Sequence, residues 1–375
     1  MKFVLIAGYP ESVINFRRDL IIELQRYSME VHVVIPKLSN VDSDLVIKKI
    51  EEIGVKVHEI RLSRTGINPF KDLIGLLDII RTLWKIRPDY VLSYTIKPVI
   101  YGLLAAKILG IKNRFALITG LGSIFNEGKS GSRKLLLFIV SSLYKFSLLF
   151  ANAVMFQNHD DKFLFEKNKI VCPNNSYVVN GSGVNLYFYR FSKAPPKITF
   201  LLLARLLNSK GIGVYFEAAK IIKKRFPQIE FRLGGETDVL NNDSIRRCEL
   251  NSMIESGVIN YYGQLSDVRP AITDCSVYVL PSFYREGVPR SILEAMSMGK
   301  AIITTNTPGC RETVTDGENG YLIMPQSVPD LVVAMMKFID DPALIEEMGI
   351  KSRKMAEIKY DVHKVNKEMI KIMRV

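Results

Sequence analysis

Residues 280–299 read Leu-Pro-Ser-Phe-Tyr-Arg-Glu-Gly-Val-Pro-Arg-Ser-Ile-Leu-Glu-Ala-Met-Ser-Met-Gly. The apolar run Val277–Leu280 that leads into them predicts a buried strand, which Pro281 ends. Ser291–Met298 predicts a helix, with Gly299 as its C-terminal stop. The stretch therefore predicts a strand, a short polar loop and a helix in direct succession.

Two carboxylates lie in this stretch. Glu286 is in the predicted loop, outside the carboxyl end of the strand. Glu294 follows about two helical turns later. The backbone N–H groups at the start of the helix point back into the loop, where they could hold a phosphate. Such a loop predicts a site for a ligand with hydroxyl groups at its ends and phosphate in its middle, and a nucleotide sugar fits that description.

Length and composition place the chain among soluble globular proteins. Its 375 residues predict two domains or one large one, and 48% hydrophobic and 24% charged residues are ordinary for a soluble protein. Four scattered cysteines without a Cys-x-x-Cys pair argue against disulfides and zinc, and favour a reducing cytosol. The N-terminal MKFVLIAGYP predicts a first strand rather than a signal peptide.

The positive charge is unevenly distributed. Of the net charge of +13, residues 1–190 carry +10, and residues 101–150 hold seven basic side chains against the single acid Glu127. This predicts an anionic partner, namely membrane lipid, a phosphate-bearing substrate or nucleic acid, with a solvated basic face as the alternative. Leu135–Phe150 is too short to span a membrane and contains Lys145. It predicts either an interfacial helix or a buried one.

Strands alternate with helical stretches along the whole chain, which predicts parallel sheets covered on both faces. The pattern restarts near Lys197–Leu203, so two α/β halves are expected, joined between residues 165 and 197. Ligands of such sheets bind outside the carboxyl ends of the strands. Arg205 and Lys210 follow one such end and suit a diphosphate. Gly234-Gly235 follows the next, where glycine lets the backbone approach a ligand closely.

These motifs together resemble glycosyltransferase family 4. The resemblance rests on Arg205-x4-Lys210-Gly211, on Glu286-x7-Glu294, on Pro308-Gly309-x2-Glu312 and on Gly317-x2-Gly320. In the first half it rests on Phe16-Arg17, Gly102–Lys107 and Arg114–Gly122, which are similar to the bacterial subgroup that builds capsule, O-antigen and lipid-linked glycans.

The resemblance implies a retaining, metal-independent enzyme of the GT-B fold, with two Rossmann-like domains facing across a cleft. It implies an acceptor-binding domain of residues 1–170 plus 358–375 and a nucleotide-sugar-binding domain of residues 171–357. The implied donor is a nucleotide sugar, often UDP-linked, carrying a hexose or N-acetylhexosamine. The implied acceptor is a polyprenyl-diphosphate-linked saccharide at the inner face of the cytoplasmic membrane, reached through the basic N-terminal half.

The family's site roles transfer to matching positions. Arg205 and Lys210 would stabilise the departing diphosphate, Glu286 would bind hydroxyls of the transferred sugar, and Glu294 would hold the ribose. Further donor contacts are expected from Gly8, Gly235, Gly287 and Val288. The alternatives are a solvated helix position for Glu294 and surface cations for Arg205 and Lys210.

Two positions depart from the family pattern. Many members have a glycine pair in the first loop, where this chain has Gly8 followed by Tyr9-Pro10. Many also have a histidine where this chain has Thr119 before Gly120, and a threonine cannot supply a charge. Lys97 is a further candidate for contact with an anionic donor or acceptor.

Other classes of function remain open at this stage. Two cleft carboxylates also suit a glycosidase, but the neighbouring phosphate-type loop favours nucleotides. A nucleotide-sugar epimerase of the same fold is the main alternative. A nucleic-acid-binding protein would need stacking aromatics or a known module, and neither is found. Asp42-Ser43-Asp44 spells a metal motif of another fold, and the four histidines lack ligand spacing, so no metal or other cofactor is expected.

Overall fold

The computed structural model describes residues 1–37, 43–63, 68–121, 131–238 and 241–375. The chain forms two compact units. Met1–Ser182 and His363–Val375 make the first, and Gly183–Val362 makes the second. The units divide between residues 182 and 183 and between residues 362 and 363. The resemblance implies domain bounds at 170/171 and 357/358.

The first unit contains seven parallel strands, joined in the order β3-β2-β1-β4-β5-β6-β7. The strands are β1 (Lys2–Ile6), β2 (Glu30–Pro36), β3 (Lys56–Ile60), β4 (Tyr90–Tyr94), β5 (Asn113–Ile118), β6 (Ala153–Phe156) and β7 (Ser176–Val178). The helices between them are α1 (Glu11–Arg26), α2 (Ser43–Glu51), α3 (Pro69–Ile86), α4 (Ile96–Ile108), α5 (Gly131–Leu148) and α6 (His159–Lys167).

The second unit contains six parallel strands in the order β10-β9-β8-β11-β12-β13. They are β8 (Thr199–Leu203), β9 (Glu230–Gly234), β10 (Asn260–Tyr261), β11 (Val277–Leu280), β12 (Ala301–Thr305) and β13 (Gly320–Ile323). Its helices are α7 (Ile212–Arg225), α8 (Arg247–Glu255), α9 (Arg269–Thr273), α10 (Arg290–Ser297), α11 (Val328–Asp340) and α12 (Ala343–Met355). The last helix, α13 (Val362–Met373), returns the chain to the first unit.

Helices cover both faces of the first sheet. Successive residues of a strand point to opposite faces, so each strand contributes side chains to both. Phe3 and Leu5 of β1 pack with α1, α2 and α13, whereas Val4 and Ile6 pack with α3 and α4. The buried strands are accordingly apolar on both sides, as parallel sheets require. The second unit has one large core built in the same way.

The predicted strand–loop–helix stretch is confirmed. The strand Val277–Leu280 has the predicted bounds, and the helix begins at Arg290, after Pro289. Strands β6 and β7 were not predicted from the sequence, because no proline or glycine directly ends Ala153–Phe156 and Ser176–Val178 is only three residues long. Among the described residues, no helix combines the length and the apolarity that a membrane span needs.

Candidate active site

Two loops of the second unit meet outside neighbouring strands. The first loop, residues 204–211, follows β8, and the second loop, residues 281–289, follows β11, which pairs with β8. The carbonyl of Ser209 accepts hydrogen bonds from the N–H groups of Phe283 at 2.8 Å and Tyr284 at 3.1 Å. Gly211 permits this approach, because a Cβ there would lie 2.1 Å from the Pro281 carbonyl oxygen. Backbone contacts therefore hold the two loops together.

A buried ion pair joins the same two loops. The Nζ of Lys210 contacts Oε1 of Glu286, and the two side chains are only 13% and 12% exposed. Ser282 donates a hydrogen bond from its Oγ to the same carboxylate oxygen at 3.1 Å. The Lys210 ammonium also lies 5.5 Å from the centre of the Tyr284 ring, within cation–π range. The structure thus brings together two of the three residues predicted to be catalytic.

Threonine hydroxyls fix the backbone of the second loop from behind. Thr304 donates to the carbonyl of Leu280 at 2.7 Å, and both Thr305 and Thr307 donate to the carbonyl of Ser282. Sequence reasoning did not single out these threonines. The signal that could have found them is their position, since Thr304 and Thr305 end β12, the strand next to β11, and Thr307 follows it.

Arg205 has different surroundings. Its side chain is 46% exposed, and its Nη1 lies 3.3 Å from Oδ2 of Asp238. It shares the first loop with Lys210, but its described ion pair is with the loop after β9. Arg205 is therefore a solvent-accessible cation beside the buried pair rather than a member of it.

Glu294 lies in α10, and its side chain is only 13% exposed. Nε of Arg290, four residues earlier on the helix, lies 3.2 Å from its Oε1, and Tyr189 also hydrogen-bonds to it. Burial raises the pKa of the Glu294 carboxyl, and the arginine and the tyrosine hydroxyl act in the opposite direction. Burial, together with the negative charge of Glu294, raises the pKa of Tyr189 as well. Glu294 is thus not a solvated helix residue.

The predicted glycine contacts divide into two kinds. Gly287 lies against Gly309, where a Cβ would be 2.0 Å from the Gly287 carbonyl oxygen, and Val288 is 7% exposed. At Gly235, by contrast, a Cβ would lie 1.8 Å from the Ala204 carbonyl oxygen. Its N–H and carbonyl both bond within the protein. Close packing of the ends of β8 and β9 accounts for the glycine at position 235.

The remaining candidates lie in the first unit, after adjacent strands. Gly8 follows β1, Lys97 lies in the first turn of α4 after β4, and Thr119 and Gly120 follow β5. The amine of Lys97 is 2.6 Å from Oδ1 of the buried Asp72 and 2.8 Å from Oγ of Ser63. Lys97 is therefore anchored within its own unit by a largely buried ion pair.

The described residues include no group of three or more histidine, cysteine, aspartate or glutamate side chains placed to hold a metal ion. Asp42 of the Asp-x-Asp sequence lies outside the described residues. His159 begins α6, and the side chain of Asn158 caps that helix by accepting from the N–H of Asp161 at 2.7 Å. His32 and His58 contact each other, with Nδ1 and Nε2 3.0 Å apart.

Two family models match this chain. The model described as glycosyl transferases group 1 matches residues 188–355, and the model described as glycosyl transferase 4-like matches residues 12–158. Together they cover most of both units. The chain belongs to the glycosyltransferase family that these two models describe. The transferase activity and the two parallel α/β units expected from the resemblance are thereby confirmed.

Similar proteins match most or all of this glycosyltransferase. N,N'-diacetylbacillosaminyl-diphospho-undecaprenol alpha-1,3-N-acetylgalactosaminyltransferase of Campylobacter jejuni is 29% identical over 99% of this chain and 98% of its own. UDP-Gal:alpha-D-GlcNAc-diphosphoundecaprenol alpha-1,3-galactosyltransferase of Escherichia coli is 26% identical over 74% and 73%. Anabaena Alr3699/HepE, solved in complex with UDP, shares the fold with a TM-score of 0.79 at 16% identity over 100% of both chains.

Proposed function

We propose that this glycosyltransferase moves a hexose or N-acetylhexosamine from a UDP-sugar to a polyprenyl-diphosphate-linked saccharide, with retention of the anomeric configuration and without a metal. The observation that carries the proposal is the buried Lys210–Glu286 pair between two strand-end loops. It places a cation suited to a diphosphate next to a carboxylate suited to sugar hydroxyls. Glu294, buried two turns along, supplies a second hydroxyl-binding carboxylate for the ribose.

In the proposed reaction the acceptor hydroxyl attacks the anomeric carbon on the face from which the diphosphate departs. A phosphate oxygen of the leaving group takes the proton of the acceptor hydroxyl, so no protein base is required. Lys210 and the accessible Arg205 stabilise the charge that develops on the diphosphate, and Glu286 orients the transferred sugar. The N–H groups of Gly287 and Val288 are proposed to contact the donor, as is Gly8 from the first unit.

The acceptor class and the location are supported by relatives and by charge. Both relatives described above are named for transfer to a sugar on diphospho-undecaprenol. A lipid-linked acceptor requires the enzyme to work at a membrane surface, and the first unit carries most of the excess positive charge. We therefore propose a peripheral location on the inner face of the cytoplasmic membrane, in the assembly of a surface polysaccharide or glycan.

Acceptor dependence tests this proposal against an epimerase of the same fold. The purified chain is incubated with a panel of UDP-sugars, with and without a bacterial lipid extract, and released UDP and sugar isomers are quantified. We expect UDP release from one sugar of the panel, and only with the lipid extract. Isomerisation of the sugar without extract, or equal UDP release in both arms, would overturn the proposed function.

A further inference from the structure

Helix α3 carries an exposed apolar surface that the sheet does not use. Its buried side, which includes Ile79 and Leu83, packs on the first sheet. Its outer side presents the α3 stripe, a set of large apolar side chains at helical spacing that are each 40–81% exposed: Phe70, Leu73, Ile74, Leu77 and Trp84. Scattered apolar residues on a surface are ordinary, but a contiguous helical stripe marks an interaction surface.

A cationic cavity lies along one flank of the same helix. It has a volume of about 330 Å³ and is walled by the second half of α3, by the end of the edge strand β3 and by Lys37 after β2. This basic cavity contains four cations, namely Lys37, Arg61, Arg81 and Lys85, and two carboxylates.

Most of the cations in the basic cavity are available to a ligand. Arg61 forms a two-pronged pair with Asp78, with both N···O distances 2.8 Å. Lys37, Arg81 and Lys85 form no ion pair with any residue that the structure describes. The four cations outnumber the carboxylates of Glu59 and Asp78, so the cavity carries an excess positive charge that an anion would offset.

The stripe and the cavity adjoin each other along α3. Arg81 lies one turn after Leu77, and Lys85 follows Trp84 directly and lies one turn after Arg81. Apolar side chains with an interfacial tryptophan on the outer face, bordered by cations, are the pattern of a helix that lies in the headgroup region of a bilayer.

We propose that α3 docks this chain on an anionic phospholipid bilayer, with the α3 stripe in the headgroup region and a lipid phosphate in the basic cavity. The positive charge of this surface favours an anionic bilayer over a second copy of the chain as its partner. A two-fold contact through α3 would bring two basic cavities together, and their like charges would oppose the dimer. The inference rests on the proposed function in one respect, that a lipid-linked acceptor gives the enzyme a reason to bind membranes.

Vesicle flotation of the full chain tests the proposal without donor or acceptor. Vesicles of phosphatidylcholine are compared with vesicles that also contain phosphatidylglycerol. We expect binding to the anionic vesicles, weakened at least about tenfold in Arg81→Glu with Lys85→Glu. A similar loss is expected in Leu77→Ser with Trp84→Ser. These four side chains are on the surface, and hydrogen exchange of β1 and β4 peptides at the parent's rate would show that the first unit of each variant is folded.

Two matched controls locate the surface. Lys48→Glu with Lys49→Glu makes the same charge change on α2, which packs on the opposite face of the sheet, and should bind vesicles like the parent. Phe146→Ser with Leu149→Ser removes exposed apolar side chains of α5 and its C-terminal end, which are 54% and 71% exposed. Binding that is lost only in the α5 variant, or that survives both α3 variants, overturns the proposal.

Two further results would also overturn it. One is that the parent chain binds vesicles no better when they contain phosphatidylglycerol. The other is that the α3 variants change only the oligomeric state, as measured by light scattering. Absence of UDP binding by the parent would instead count against the proposed UDP-sugar donor, and the vesicle result would stand independently.

Discussion

The Lys210–Glu286 ion pair differs from the Arg205–Asp238 ion pair mainly in burial. The first pair is about seven-eighths buried, whereas the Arg205 side chain is nearly half exposed. An exposed pair contributes little to stability, because water screens its charges. A buried pair is costly to break, because the remaining charge is left without compensation. The two cations of one loop should therefore affect stability very differently.

Substitution of each cation by methionine tests this difference. We expect Lys210→Met to lower the free energy of unfolding of the second unit by about 3–5 kcal/mol, because Glu286 keeps its charge in a buried site. Arg205→Met should cost less than about 1 kcal/mol. Hydrogen exchange of β8 and β11 peptides in increasing urea measures both. Equal losses would contradict the assigned burial of the Lys210–Glu286 pair.

Glu294 predicts a pH dependence of stability. Burial raises its pKa in the folded chain above the ordinary carboxyl value, so the folded state binds more protons than the unfolded state between those two values. Its contribution to stability is therefore fully present below the ordinary value and is lost as pH rises through the raised value. Glu294→Gln should lack this fall, and urea unfolding of both proteins across a pH series gives the difference. Parallel curves would argue against a raised pKa.

The two partners of Glu294 differ in whether the sequence could predict them. Arg290 is four residues before Glu294 and directly precedes the predicted helix, so a start one residue earlier would have predicted their contact from spacing. Tyr189 lies far away in the sequence and reaches Glu294 only through packing of the second unit, which no local pattern encodes. The assignments of Arg205 and Lys210 to one loop followed from the strand end, but only the structure separates the buried cation from the exposed one.

Glycines at the strand ends set how closely the two site loops approach. Gly211 and Gly317 have nearly the same left-handed backbone angle, with φ values of 78° and 77°. A Cβ at Gly211 would lie 2.1 Å from the Pro281 carbonyl oxygen, whereas at Gly317 it would meet nothing within 4 Å. The two positions thus form a matched pair in which only the surroundings differ.

Alanine at each of these glycines separates backbone strain from steric conflict. We expect Gly317→Ala to cost about 1–2 kcal/mol, the strain of a left-handed non-glycine residue. Gly211→Ala should cost about 1–3 kcal/mol more, because the two loops must move apart. Chemical denaturation gives the stabilities, and UDP binding should weaken only in Gly211→Ala. Unchanged UDP affinity in Gly211→Ala would show that the loops do not need this contact.

Helices and strands could be predicted where an apolar pattern was long or was ended by a proline or glycine. Val277–Leu280 is a fully apolar run ended by Pro281, and the structure keeps those bounds. Strand β6 is equally apolar but no proline or glycine directly follows it, and β7 is a three-residue strand at the edge of the sheet. The apolar spacing of Phe70–Ile86 predicts an amphipathic helix, but only the structure shows which of its apolar side chains are buried and which are exposed.

The whole molecule is two α/β units connected by two crossings of the chain. The second crossing brings α13 onto the first sheet, where Val365, Met369, Ile370 and Met373 join its core. The architecture and the family could be recognised from the sequence because several motifs occur in the right order along the chain. The donor sugar and the acceptor depend on side-chain combinations that no single motif carries, so they rest on experiment.

Stereochemistry of the transferred sugar tests the central claim most directly. The chain and its Glu286→Gln variant are incubated with the UDP-sugar that gives acceptor-dependent UDP release, and the product linkage is determined by NMR. The account predicts that the parent retains the anomeric configuration of the donor, and that the variant is at least about a hundredfold slower while remaining folded. An inverted linkage, or a variant as active as the parent, would contradict it.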